Sequence, residues 1–148
     1  IEGGVNPIQF RYPQILTPGT TEVTEMLCRA GLQLAVVSNS STEVVDQALH
    51  QCGIRENFRH IFSGWERPDR KPEPALYQQA MTYFGLKAEN CLVVEDSPVG
   101  IRAGKRAGLP VAALRDRDGL IDQSEADVVL LTIRDLLALP CVRKTMKM

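Results

Sequence analysis

From Pro18 onward, helical and strand-like runs alternate at a steady period, and this constrains the fold more than any other feature. Glycines 31, 53, 85 and 108 each close a helical run and turn the chain into a short apolar one. Thr20 or Thr21 can cap a first helix carrying Val23, Met26, Leu27 and Ala30 on one side. Leu32–Val37 follows as a buried strand, and Ser40 with Glu43 has the spacing of a capping box for a second helix. His60–Ser63 reads as a short strand, and Pro72 suits the first turn of a third helix through Phe84. The second half repeats the pattern. Strands are expected at Cys91–Val94, Pro110–Leu114 and Val128–Leu131, and helices at Ile101–Ala107, behind Ser97-Pro98, and at Ile133–Leu139. Alternation of this kind predicts βαβ units, hence an α/β fold: a three-layer, Rossmann-like parallel sheet with helices on both faces. In such sheets ligands bind beyond the carboxyl ends of the strands.

Composition excludes several alternatives. Seventeen Lys and Arg against eighteen Asp and Glu leave a net charge of −1, which offers no electrostatic footprint for nucleic acid or an anionic membrane. Apolar runs are far shorter than the roughly 20 residues a membrane helix needs. Cys28, Cys52, Cys91 and Cys141 are widely spaced, and neither His50 nor His60 has a partner at zinc-ligand spacing. A reduced, cytoplasmic protein is the expectation. Asn39-Ser40-Ser41 matches a glycosylation acceptor only formally, since it follows an apolar strand.

Three polar groups fall where chemistry is expected. Ser38-Asn39 follows one strand, Lys71 stands at the mouth of the third helix, and Glu95-Asp96 follows another strand. A hydroxyl, an amide, an ammonium and two carboxylates suit phosphoryl transfer. Phosphoryl oxygens want donors and a cation, and paired acids can hold Mg2+.

The runs Leu34–Ser40, Lys71-Pro-Glu-Pro-Ala-Leu-Tyr77 and Cys91–Gly108, with its acid pair and Ala-Gly repeats, resemble the haloacid dehalogenase superfamily, in particular its sugar-phosphate phosphatase and β-phosphoglucomutase branch. The resemblance covers roughly residues 15–140. It implies that Ser38, helped by Asn39, binds the phosphoryl oxygens. It implies that Lys71 pairs with both the nucleophile and the phosphoryl group, and that Asp96 and Glu95 hold Mg2+. The family's nucleophile, the first Asp of a D-x-D-x-T motif on a preceding strand, has no match before Ser38; the first aspartate of the sequence is Asp46. Asp116-Arg117-Asp118-Gly119 is the only similar string, and it lacks the Thr and lies too late, so it reads as a polar loop.

In the family that nucleophile strand is central, between the strands ending at Val37 and Val94. A buried five-residue strand contributes roughly 6–12 kcal/mol of apolar burial, comparable with a domain's whole net stability of about 5–15 kcal/mol. The expectation is therefore an α/β core at 18–140 whose central strand is missing. Residues 1–17, with Ile8, Phe10 and Tyr12 alternating, would be a return segment from a cap or linker, and 141–148 a frayed, solvated basic tail. The implied function of the intact protein is Mg2+-dependent hydrolysis of a small phosphate monoester, such as a sugar phosphate, through an aspartyl-phosphate. A β-phosphoglucomutase-type transferase and a non-catalytic remnant of the fold are the alternatives. A receiver-like signalling domain fits less well, because there the acids come first and Lys last. No motif specifies an oligomeric state.

Overall fold

The computed structural model describes residues 17–146, and the Ile8–Tyr12 stretch lies outside them. The elements run α1 (Thr20–Arg29), β1 (Ala35–Ser38), α2 (Thr42–Gln51), β2 (His60–Ser63), α3 (Ala75–Phe84), β3 (Val93–Glu95), α4 (Pro98–Arg106), β4 (Val111–Leu114) and β5 (Val128–Leu130). A 3-10 segment, Ile133–Ala138, then leads into α5 (Pro140–Met146). No helix among the described residues is long and apolar enough to cross a membrane.

Local chemistry explains both the agreement and the shifts in boundaries. Ser41, not Ser40, caps α2 by accepting from the Val44 N–H, so the anticipated capping box does not form. α3 starts at Ala75 rather than near Pro72, because Pro74 disfavours helical geometry at Glu73 and itself becomes the cap. Ser97 and Pro98 open α4 as cap and first residue, in line with the sequence. The predicted closing helix over Ile133–Leu139 is instead a 3-10 segment, Ile133–Ala138, and a separate helix that the sequence reading did not predict begins at Pro140, a residue well suited to the first turn.

The C-terminal stretch differs from the frayed, solvated tail expected of it. Residues 140–146 are helical, and Val142 is buried together with Val23, Leu27 and Leu136, with Leu139 and Met146 packed alongside. Leu139, Val142 and Met146 recur at helical spacing, and burying that stripe offsets the cost of ordering the segment. Arg143 and Lys144 remain exposed.

Every strand pairing among the described residues is parallel. β1 pairs with β2, aligning Ser38 with Ser63, while β3, β4 and β5 form a second ladder in that order. The middle strand β4 alternates between two apolar layers. Ala112 packs with Val23, Leu27 and Leu130, whereas Val111 and Ala113 pack with Val93, Ile101 and Tyr77. Helices therefore cover both faces, as expected of a three-layer α/β fold.

β1 and β3 share no hydrogen-bonded ladder. Between them runs a cleft of about 410 Å³, with Val36 and Val37 on one wall and Val93 and Val94 on the other. Burial follows the cleft. Val111, Ala112 and Ala113 of the doubly flanked β4 are fully buried, but Val94 is 38% exposed and β1 is half-buried along its whole length. Among the described residues the sheet is thus split where the sequence analysis expects its central strand to be missing.

Candidate functional site

The carboxyl ends of β1 and β3 meet at one side chain, Lys71. Its ammonium is nearly buried, at 9% exposure, and donates to the Val37 carbonyl at 3.0 Å and to Glu95 Oε2 at 2.7 Å. The Tyr77 hydroxyl donates to the same carboxylate oxygen at 2.5 Å. Burial, the Glu95 charge and this hydrogen bond together push the Tyr77 phenol far above its usual range. Tyr77 is therefore a permanent donor at ordinary pH. A buried ion pair is tolerable only when its remaining polar atoms are satisfied, and the Val37 carbonyl and the phenol do this for Lys71 and Glu95.

Asn39, just beyond β1, sets the main chain of Lys71. Its Nδ2 donates to the Lys71 carbonyl and its Oδ1 accepts from the Lys71 N–H, both at 3.1 Å. The sequence reading has Asn39 helping to hold phosphate; in the structure both ends of its amide are engaged by Lys71, with one N–H left over. The close approach requires Gly64, where an added Cβ would stand 2.8 Å from Asn39 Oδ1 and 2.6 Å from Arg70 Cβ. Ser38 Oγ accepts from the Ser40 N–H at 3.0 Å, which leaves its own proton to donate.

Glu95 and Asp96 point to different surroundings. The Glu95 carboxylate folds back over the start of α4, where a Cβ at Gly100 would collide with it, so only glycine allows this approach. Asp96 is exposed, and its carboxylate makes no hydrogen bond among the described residues. No three acidic, His or Cys side chains cluster among the described residues. Asp96, exposed and with its carboxylate unengaged among the described residues, has the chemistry for Mg2+, which commonly takes one or two protein carboxylates and fills its octahedron with water and phosphate oxygens. Glu95 Oε2, in contrast, is already held by Lys71 and Tyr77. Asp116, of the late D-x-D string, is occupied by its own loop, accepting from the Leu120 and Ile121 N–H groups at 2.7 and 3.0 Å.

Comparison with known proteins places the chain in a family. The model of the haloacid dehalogenase-like hydrolases matches residues 8–108. The chain belongs to that family. Phosphoglycolate phosphatase 1 of Pseudomonas aeruginosa is 32% identical over 127 residues, covering 84% of this chain and 46% of that protein. A CBBY-like protein of Arabidopsis thaliana is 35% identical over 97 residues, covering 64% of this chain and 30% of that one. The crystal structure of CbbY from Rhodobacter sphaeroides in complex with phosphate superposes with a TM-score of 0.74 at 30% identity, covering 82% of this chain and 56% of that chain. The chain thus spans less than half the length of these two curated relatives.

Three residues of this haloacid dehalogenase-like chain escape sequence reasoning in their actual roles. Tyr77 shows the helical spacing of a core residue, and nothing in that spacing marks its hydroxyl as a partner for Glu95. Gly100 resembles any small helix residue. The pairing of Asn39 with Lys71, 32 positions away, is a tertiary event.

Proposed function

We propose that the protein carrying this chain is a phosphatase that hydrolyses a small phosphate monoester, such as a phosphorylated sugar or hydroxy acid. The observation that carries this reading is the buried Lys71 ammonium, bonded at once to the end of β1 and to Glu95 beside the cleft. A fixed cation there suits an incoming phosphoryl group, because little has to reorganise when charge develops. Ser38 would donate its hydroxyl to a phosphoryl oxygen, and Asn39 would act chiefly by holding Lys71 in place. Asp96 and Glu95 would hold Mg2+, which when bound would neutralise part of the phosphoryl charge.

The nucleophile would be an aspartate that these 148 residues do not supply ahead of Ser38. Its carboxylate oxygen would attack phosphorus, the ester P–O bond would break, and the leaving alkoxide would take a proton from solvent to depart as the alcohol. Water would then attack the aspartyl-phosphate and release inorganic phosphate, restoring the carboxylate. Phosphatase and CbbY relatives, some described with phosphate or xylulose-1,5-bisphosphate, support the substrate class.

In the protein carrying this chain, Asp96→Asn should raise the Mg2+ concentration needed for half-maximal activity and lower kcat together. Lys71→Met should lower kcat by about 10²–10³-fold. Release of inorganic phosphate from a panel of sugar phosphates is the measurement. Unchanged kinetics in both variants would remove this reading, and a phospho-enzyme that reacts with sugar phosphate rather than water would make the protein a mutase.

A further inference from the structure

We infer that Gln123 is a positioning residue for Asp96, and this rests on the reading of Asp96 as a metal-holding acid. The β3–β4 ladder ends at the pair Glu95 and Ala113. Past that point no main-chain bond holds the two strands together, yet Asp96 is the next residue along. Gln123, reaching in from the loop after β4, closes the gap. Its Nε2 donates to the Asp96 carbonyl at 2.9 Å and to the Leu114 carbonyl at 2.6 Å, and its Oε1 accepts from the Asp116 N–H at 3.2 Å.

Both of its N–H donors and one lone pair of its carbonyl oxygen are used. A primary amide supplies two donors and an acceptor on one fork, which neither a carboxylate nor an ammonium can do. The loop that presents Gln123 is itself tied by the Asp116 carboxylate to the Leu120 and Ile121 N–H groups. Asp96 is thereby held from three directions. Glu95 before it is bound by Lys71 and Tyr77, Ser97 after it accepts from the Gly100 N–H at 3.2 Å, and Gln123 grips its carbonyl. Only the Asp96 side-chain torsions remain to be set by a ligand, and of the three holds Gln123 is the one that bonds Asp96 itself. Partners that orient a metal ligand in this way commonly change affinity by about 10–100-fold when removed.

The test measures Mn2+ binding, as a stand-in for Mg2+, by electron paramagnetic resonance on the protein carrying this chain, below its melting temperature. Gln123→Met keeps the shape and removes every hydrogen bond. It should weaken Mn2+ binding about ten-fold, with Asp96→Asn weakening it further. Gln123→Asn, shortened by one methylene, should fall between wild type and Gln123→Met, and it serves if the Met variant does not fold. A purely structural Gln123 would lower the melting temperature and leave Mn2+ affinity unchanged. If Asp96→Asn weakens binding while folded Gln123 variants bind like wild type, the positioning role is overturned and the metal reading stands. Wild-type binding in Asp96→Asn, or no binding by the wild type, overturns both.

Discussion

Glu95 carries a charge buried against a lysine, a phenol and a glycine, and each neighbour can be removed separately. Lys71→Met leaves the carboxylate without its counter-ion and should cost about 3–5 kcal/mol. Adding Glu95→Gln should recover much of that loss, because the uncompensated charge is then gone. Urea unfolding of the single and double variants measures both. Tyr77→Phe removes one donor to a charged acceptor and should cost about 1.5–3 kcal/mol. Gly100→Ala forces the Glu95 carboxylate off α4 and should cost about 1–3 kcal/mol, as overpacking does. Lys71 and the acid pair are legible as charges at element ends, since the strand pattern shows where those ends lie. Tyr77 and Gly100 are not, because helical spacing places a side chain on a face without naming its partner across the fold.

Asp127 links three elements at the other end of the second ladder. Its carboxylate accepts from Lys105 of α4 at 2.8 and 2.9 Å and from the Val111 N–H, at the start of β4, at 2.7 Å, one residue before β5 begins. The Lys105 hydrogen bond, then the Val111 N–H, hold its carboxyl below the ordinary value of 3.8. A depressed folded value means that the stabilisation is complete above the unfolded value and disappears as pH falls through the folded one. Asp127→Ala should therefore cost about 1–2 kcal/mol at pH 7, discounted for its exposure to solvent. The gap between variant and wild type should narrow below about pH 4. Chemical denaturation at pH 7 and pH 3 checks the sign, and a gap that widens in acid contradicts it. At this scale the strands and the first four helices were readable in order and type from periodicity and punctuation, whereas the expected closing helix is a 3-10 segment and α5 was not foreseen. Element ends were not readable: Pro74 moved the start of α3, and α5 is tied down by Val142, which joins the apolar cluster of Val23, Leu27 and Leu136.

Across the whole molecule, the open edges of β1 and β3 predict an uneven distribution of stability. Amide hydrogen exchange should be slowest in β4, which is bonded on both sides, and markedly faster for the β1 and β3 amides that face the cleft. Uniform protection across these strands would mean that the cleft is filled in solution. Several features were determined by the sequence alone. Alternating apolar runs dictated parallel strands with helices on both faces, and the positions of Ser38, Lys71, Glu95 and Asp96 followed from where those runs end. Even the split between β1 and β3 was expected, because the family pattern assigns a strand between them that the described residues do not supply. Tertiary structure alone decided how those groups divide their work. Lys71 took both Val37 and Glu95 as partners, Asn39 turned to Lys71, and Gln123 joined two strand ends. Hydrogen bonds between residues far apart in the chain depend on distances that local propensity does not encode, so they emerge only when the layers pack.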